Sequence, residues 1–179
     1  MSVRERVDDA VCLWKNGRKY GALLCLLVAV SATSRKRFPK PPSGVKGVDE
    51  KKGVGPIRPR SGDYVKSDRV AFTTFLLDEM FTLTGQKAKY GVAFPFRGET
   101  RVPYETILYE FMRCPLVHEA DMTGFFFTPS VIEDGKVLHQ IKLTDPFGLP
   151  EQWVWNLAEA VATVVENKRM FDDVKNPLA

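Results

Sequence analysis

Histidine and cysteine are scarce in this 179-residue sequence, which holds two of the former and three of the latter. The cysteines are odd in number and include no C-x-x-C pair, which argues against a disulfide framework and against a zinc knuckle. A glycine-rich phosphate loop, a nucleotide-binding fingerprint, a metal-ligand cluster and an internal repeat are also missing from the sequence. We therefore expect no metal and no cofactor, and the unpaired cysteines fit a reducing cytoplasm best.

The sequence also lacks an apolar run long enough to span a bilayer. Residues 21–30 are apolar and follow Arg18 and Lys19, an arrangement that imitates a secretory signal. The residues before them, however, already form a long amphipathic pattern that includes Glu5 and Asp8. We expect a buried helix at this position and no membrane partner.

The length and the hydrophobic content of 44% suit one globular domain that spans residues 1–179. Periodic apolar patterns predict five helices, and the helix-stop signal at Asn16-Gly17 implies that the first two form an antiparallel hairpin. The second helix is apolar on nearly all sides and should form the centre of the core. The predicted helices cover approximately residues 3–14, 19–36, 67–83, 103–118 and 150–171.

A β pattern replaces the helical one after residue 124. Asp134-Gly135 stands between two β-rich runs and predicts a hairpin at about 125–143. On its second strand His139 shares a face with Val137 and Ile141, so a structural role among apolar neighbours is expected for this histidine. The predicted fold class is mainly α (α+β), an antiparallel bundle of about five helices with a small C-terminal β-hairpin.

Residues 38–66 form a predicted Pro/Gly-rich loop that is strongly basic. Residues 35–66 hold 10 Lys or Arg against 3 Asp or Glu, a local excess of seven positive charges. A long loop in a compact domain is usually functional or disordered, and a basic one attracts phosphate, although such segments are also commonly just solvated. The candidate RNA-binding residues here are Arg35, Lys36, Arg37, Lys51, Lys52, Arg58 and Arg60.

The strongest candidate site lies on the fourth predicted helix, where Arg113 precedes His118 by five residues. Arginine neutralises a phosphate through a fixed fork of donors, and histidine can give or take a proton near neutral pH. On a straight helix at about 100° per residue, five residues place the two side chains about 140° apart. A kink or tightened turn at Pro115, or a second copy of the helix across a dimer, would bring them together.

A helical hairpin followed later by a helix that ends in Arg-x4-His resembles the HEPN superfamily, in which an R-x4-6-H motif marks many members. The motif here reads Arg113-Cys-Pro-Leu-Val-His118, and Leu108-Tyr109 before it and Glu119 after it are similar to that family as well. The resemblance covers the helical parts, roughly two thirds of the chain. It implies a metal-independent endoribonuclease, often a toxin or defence effector, in which two subunits pair so that both motifs face one cleft.

The resemblance also implies roles for individual residues. His118 would act as general acid or base for attack of the 2′-hydroxyl on the adjacent phosphodiester, and Arg113 would hold the phosphate. Tyr109, Cys114 and Glu119 would support them, and an antitoxin or another protein would be the partner. Cys114 departs from the Asn or Asp that catalytic members often carry, and a thiol orients a phosphate less well than an amide does.

The same residues have a structural interpretation. Arg113 would then pair with Glu110 or Glu119, and His118 would end its helix, where the helix dipole favours a cation. In that case the protein is a non-catalytic HEPN-like module that presents a dimerisation, RNA or protein surface. A nucleophilic Cys114 is a third interpretation, disfavoured because the sequence places no dedicated base beside it.

Overall fold

The computed structural model describes residues 1–48, 59–84, 92–118 and 124–172. Residues Ile107–Arg113 form a segment of π-helix. The helices are α1 (Val3–Lys15), α2 (Lys19–Arg37), α3 (Asp68–Asp78), α4 (Met80–Thr84), α5 (Tyr104–Thr106), α6 (Cys114–His118), α7 (Glu151–Thr163) and α8 (Lys168–Phe171). The strands are β1 (Ala93–Phe96), β2 (Glu99–Pro103), β3 (Phe125–Thr128), β4 (Ser130–Glu133), β5 (Lys136–His139) and β6 (Phe147–Pro150).

The first two helices form the predicted antiparallel hairpin, and α2 lies at the centre of the core. A capping box begins α1, since the Ser2 hydroxyl accepts from the Glu5 amide while the Glu5 carboxylate accepts from the Ser2 amide. The α2 helix packs against α1, α3, α7 and the π-helical segment. Its eight buried positions are Ala22, Leu23, Leu26, Leu27, Ala29, Val30, Thr33 and Ser34.

The expected five-helix bundle with one C-terminal hairpin is wrong. The described residues form a mixed α/β fold with three two-stranded sheets, which pair β1 with β2, β3 with β6, and β4 with β5. Two of the strand pairs are antiparallel, whereas β3 and β6 run parallel. The β1–β2 hairpin and the parallel β3–β6 pair therefore add to the single β-hairpin that we predicted.

The β1–β2 hairpin lies mainly between the two helices that we predicted over residues 67–83 and 103–118. Its turn is formed by Arg97 and Gly98, which have positive φ angles of 47° and 85°, as two-residue hairpin turns require. Pro95 lies within β1, where its side chain is exposed and the register shifts between Phe94 and Phe96. A bulged, two-stranded edge tolerates a proline because the ladder needs no donor there.

Only part of the hairpin predicted at about 125–143 is correct. The antiparallel pair β4–β5 does turn at Asp134-Gly135, where both residues have positive φ. Strand β3 instead pairs in parallel with β6, Phe125 opposite Phe147, and this pairing was not predicted. A side chain at Gly148 would lie 2.7 Å from Lys142 Cβ, so glycine allows the chain to approach this closely.

The prediction that His139 lies among apolar neighbours is also wrong. All four residues of β5 are exposed, because β4 and β5 pair with each other and form no larger sheet with the other described strands. The His139 Nδ1 atom lies 2.9 Å from the Ser130 hydroxyl across the strand pair. His139 is therefore a surface residue held by a cross-strand hydrogen bond.

Two helices that we predicted to be continuous are broken. The helix expected over residues 67–83 starts at its predicted N-cap, Ser67, but divides at Glu79 into α3 and α4. The helix expected over residues 150–171 ends at Val164, which has extended backbone, and resumes at Lys168. Each break turns a carboxylate toward α2.

Those carboxylates meet at Arg37, the last residue of α2, whose side chain is 10% exposed. Its Nε and Nη2 donate to the Glu166 carboxylate at 2.7 and 3.1 Å, and its Nη1 donates to Glu79 at 2.8 Å. Asp78 lies 3.6 Å away, and the guanidinium carbon is 4.8 Å from the centre of the Phe75 ring. This network joins the C-terminal end of α2 to α3 and to the α7–α8 connection.

The network keeps Arg37 charged. Burial by itself would lower the pKa of Arg37, but its hydrogen bonds to Glu166 and Glu79 outweigh burial and raise that pKa. Burial raises the pKa of Glu79 despite its bond to Arg37. For Glu166, burial is outweighed by hydrogen bonds from Arg37 and from its own backbone amide, so its pKa is lowered. Glu166, which receives two bonds, is the principal partner.

Arg37→Met is expected to lower the free energy of unfolding by about 3 kcal/mol, because removing one partner of a buried ion pair typically costs about 3–5 kcal/mol. Urea denaturation at pH 7 measures this. The triple variant Arg37→Met, Glu79→Gln, Glu166→Gln should recover much of the loss, since it removes both carboxylates that accept hydrogen bonds from Arg37. Unchanged stability in Arg37→Met would show that the network does not hold these helices.

A second charged group is buried at the start of α5. Glu105 is 7% exposed, and its Oε2 has no hydrogen-bond partner in the described chain. The hydroxyl of neighbouring Tyr104 is also without one, in a fully buried side chain whose ring lies 4.8 Å from that of Trp153. Burial raises the pKa of Glu105 to about 6. At neutral pH its carboxylate therefore opposes folding.

Glu105→Gln is expected to increase the free energy of unfolding at pH 7.5 by about 2 kcal/mol, at about 1.4 kcal/mol per pKa unit. Because the folded-state pKa is raised from 4.5 to about 6, the advantage should shrink as the pH falls through that interval and disappear below it. Urea denaturation between pH 4 and 8 measures it, with exposed Glu133→Gln as control. A constant difference between the Glu105 variant and wild type would contradict this account.

Candidate functional site

The predicted Arg-x4-His motif lies on a helix that changes its hydrogen-bond spacing. The segment Ile107–Arg113 is π-helical, and the Cys114 amide donates to the Tyr109 carbonyl five residues before it. The tightened turn expected at Pro115 is not formed, since α6 continues through this residue as an α-helix. Proline has no amide donor, and its ring crowds the carbonyl four residues before it. The π-helical turns, which are wider than α-helical ones, lie directly before Pro115.

Arg113 is the last residue of the π-helical segment, and its half-buried side chain points toward α2. Its Nε donates to the Ser31 hydroxyl at 2.8 Å. Its guanidinium carbon lies 5.1 Å from the centre of the Tyr109 ring and 5.9 Å from that of Phe72. Three elements, α2, α3 and the π-helical segment, thus fix the plane of the guanidinium. Ser31 was not predicted, because sequence alone gives no sign that it faces Arg113.

His118 ends α6, as the motif requires, but its side chain and Glu119 lie outside the described residues. The backbone between Arg113 and His118 is helical, with a rise of about 7.5 Å and a rotation of about 140° over five residues. The backbone positions of residues 113 and 118 therefore lie on different sides of the helix axis.

Of the predicted supporting residues, Tyr109 and Cys114 lie within the described part of the chain. Tyr109 provides the ring beneath the guanidinium, and burial raises the pKa of its hydroxyl. Cys114 is half-buried. Glu110 pairs with Arg69 at 2.7 Å, and in the described part of the chain Arg113 forms no ion pair with a carboxylate. The pairing of Arg113 with Glu110 that a structural role would have used is therefore absent.

The basic residues at the end of α2 have intramolecular partners. Arg35 binds the Asp68 carboxylate and donates to the carbonyls of Phe38, Val65 and Lys66, which attaches the following loop to the start of α3. Lys36 Nζ donates to Asn167 Oδ1 at 2.8 Å.

Arg37 is held by the network described above, so the sequence's richest cluster of positive charge is largely compensated. Arg60 is exposed. Lys51, Lys52 and Arg58, the other candidate RNA-binding residues, lie outside the described residues.

Within residues 1–48, 59–84, 92–118 and 124–172, no group of three or more His, Cys, Asp or Glu side chains could hold a metal ion. The helices found in these ranges are too short or too polar to cross a membrane.

Comparison with known proteins gives one match. The model of the Rv1289 family matches residues 2–173, nearly the whole chain. No curated protein and no solved structure matched the chain.

Ser31→Ala is expected to lower the free energy of unfolding by about 1–2 kcal/mol, because a hydrogen bond from a charged donor contributes about 1.5–3 kcal/mol and alanine favours the helix slightly. Urea denaturation of Ser31→Ala, Arg113→Met and the double variant should reveal coupling between the two residues. Thr73→Ala is the control. The hydroxyls of Ser31 and Thr73 each donate to the carbonyl four residues before them in their own helix, at 2.9 Å. Strict additivity would contradict the proposed contact.

Proposed function

The chain belongs to the Rv1289 family, and because this name states no activity, we propose a function from the residues themselves: metal-independent cleavage of RNA of the HEPN type. Arg113 holds the scissile phosphate, and His118 transfers protons. The observation that carries this proposal is the fixed orientation of the Arg113 guanidinium. Preorganised donors are effective because they need not reorganise as charge develops.

The donors that remain on Arg113 support this assignment. Ser31 accepts from Nε, while Nη1 and Nη2 have no acceptor among the described residues. The side chain is half-buried rather than sealed in the core. An arginine presents its terminal nitrogens as a fork that matches two phosphate oxygens. Stacking on Tyr109 restricts the guanidinium without using those nitrogens.

The reaction follows from the two side chains. His118 as general base accepts the proton of the ribose 2′-hydroxyl, whose oxygen attacks the adjacent phosphorus. Arg113 neutralises the negative charge that develops on the phosphate oxygens. The bond to the 5′-oxygen breaks and that oxygen takes up a proton, which leaves a 2′,3′-cyclic phosphate and a 5′-hydroxyl. No redox change and no metal are needed in this scheme.

The rotation of about 140° between Arg113 and His118 favours a site built by two copies of the chain. In a closed two-fold dimer identical patches face each other, so Arg113 of one copy can meet His118 of the other. This proposal includes a cytoplasmic homodimer, and an antitoxin-like protein as a further partner that restrains the activity.

A second candidate function is a non-catalytic interaction module, and the β4–β5 hairpin favours it. Ile132 and Val137 form a cross-strand pair on this hairpin and are 77% and 58% exposed. Adjacent exposed apolar side chains are typical of a protein contact surface. In this alternative the Arg113–Ser31 contact serves packing only.

Incubation of the full chain with labelled RNA at pH 7 in excess chelator tests the nuclease proposal. Wild type should produce fragments with 2′,3′-cyclic phosphate ends, detected by mass spectrometry. His118→Ala should lower the rate at least about 100-fold, as removal of a general acid or base does. Arg113→Lys should lower it as well, because an ammonium group cannot form the fork.

The control is His139→Ala, which removes the other histidine from an exposed position on β5 and should keep the wild-type rate. Equal cleavage by wild type and His118→Ala would reject the assignment of the site. Absence of cleavage by wild type would favour the interaction module instead.

A further inference from the structure

A cluster of partly exposed aromatic rings lies where the α1–α2 turn meets β3 and α7. We define the aromatic surface as Trp14, Tyr20, Phe127 and Trp155. The Trp14 ring centre is 5.6 Å from that of Phe127 and 5.1 Å from that of Trp155, and the Tyr20 ring centre is 5.0 Å from that of Phe127. Tyr20 is 37% exposed, and the other three are half-buried. Three separate parts of the sequence, the α1–α2 region, β3 and α7, thus form one surface.

Positive residues lie beside Trp14 and Tyr20 in the sequence. Lys15 and Arg18, in the turn between α1 and α2, are exposed and have no ion-pair partner in the part of the chain that is described. The Lys19 ammonium lies 5.4 Å from the centre of the Trp14 ring and pairs with Glu151. Glu151 balances Lys19, so Lys15 and Arg18 supply the net charge. Exposed rings beside net positive charge are the combination that binds single-stranded nucleic acid.

A stripe along α2 connects the aromatic surface to Arg113. Tyr20 and Ser31 are eleven residues apart, about three helical turns, so they lie on one face about 16 Å from each other along the axis. Leu24 and Val28 lie between them on this face and are half-buried, unlike the fully buried opposite side of α2. At about 3.4 Å per stacked nucleotide, this distance corresponds to roughly five nucleotides.

We propose that the aromatic surface binds single-stranded RNA, with a base stacked on Tyr20 and the phosphates beside Lys15 and Arg18. The strand then follows the α2 stripe toward Arg113. This inference rests on the proposed nuclease function and gives its substrate class: RNA whose bases are not already paired. Duplex RNA fits less well, because its bases are stacked and paired inside the helix.

Fluorescence anisotropy with a fluorescein-labelled 12-nucleotide single-stranded RNA tests this, with the His118→Ala protein as the common background so that the RNA stays intact. Tyr20→Ala should weaken binding about tenfold, as loss of one stacking side chain does. Tyr20→Phe retains the ring and should bind as the parent does. Tyr64→Ala is the matched control, since Tyr64 is 40% exposed but lies in another part of the chain, and its affinity should not change.

The charge component has its own pair of variants. Arg18→Glu should weaken binding and reduce the salt dependence, because at least one phosphate contact is lost. Arg169→Glu changes an exposed cation on α8, away from the α1–α2 turn, and should have no comparable effect. If circular dichroism shows that Tyr20→Ala does not fold, the comparison of these two variants decides. Equal affinities for Tyr20→Ala and Tyr64→Ala, both folded, would overturn the proposal.

Other outcomes separate the two proposals. If His118→Ala abolishes cleavage but the aromatic variants keep the parent affinity, the nuclease assignment stands and the RNA surface is wrong. If His118→Ala still cleaves while Tyr20→Ala weakens binding, the surface stands and the catalytic assignment is wrong. A shift from dimer to monomer in Tyr20→Ala on sedimentation, with RNA affinity unchanged, would make this a subunit surface and overturn the proposal.

Discussion

Burial of α2 is the constraint on which the rest of the structure depends. A helix that is apolar on nearly all sides must be enclosed, so α1, α3, α7 and the π-helical segment all pack against it. The side of α2 that is less completely buried is the stripe that includes Tyr20, Leu24, Val28 and Ser31. The contacts of Arg113, the aromatic surface and the Arg37 network are all arranged by their positions along this one helix.

Positive charge in the sequence and positive charge available to a ligand are different quantities in this protein. Arg35 and Arg37 are adjacent to the C-terminal end of α2, where the helix dipole already favours cations, and carboxylates from α3 and from the α7–α8 connection then neutralise them. Lys15 and Arg18 stand apart in sequence from the basic loop but border exposed rings. The location of compensating carboxylates, rather than the density of lysine and arginine, determines which surface attracts phosphate.

The surroundings of Arg113 are compatible with both a structural role and the chemical role that we propose. Its contacts with Ser31, Tyr109 and Phe72 join three elements, which by itself would explain the residue as a packing contact. The same contacts leave the terminal nitrogens without acceptors among the described residues, and they hold the guanidinium plane in one orientation. Arg37, at the end of α2, is different, because its terminal nitrogens donate to the carboxylates of Glu79 and Glu166.

Local signals in the sequence determined α1 and α2, the Ser67 cap and the Asp134-Gly135 turn, because capping, apolar periodicity and turn preference act over a few neighbouring residues. The candidate Arg113 and the helix that carries it were also read from the sequence. Tertiary structure decided the parallel β3–β6 pair, the helix breaks at Glu79 and Val164, the partner Ser31 and the neutralisation of Arg37. These features depend on contacts between distant residues, such as Arg37 and Glu166, which are 129 positions apart. These contacts stabilise the protein only after the other helices have packed around α2 and brought the distant residues together.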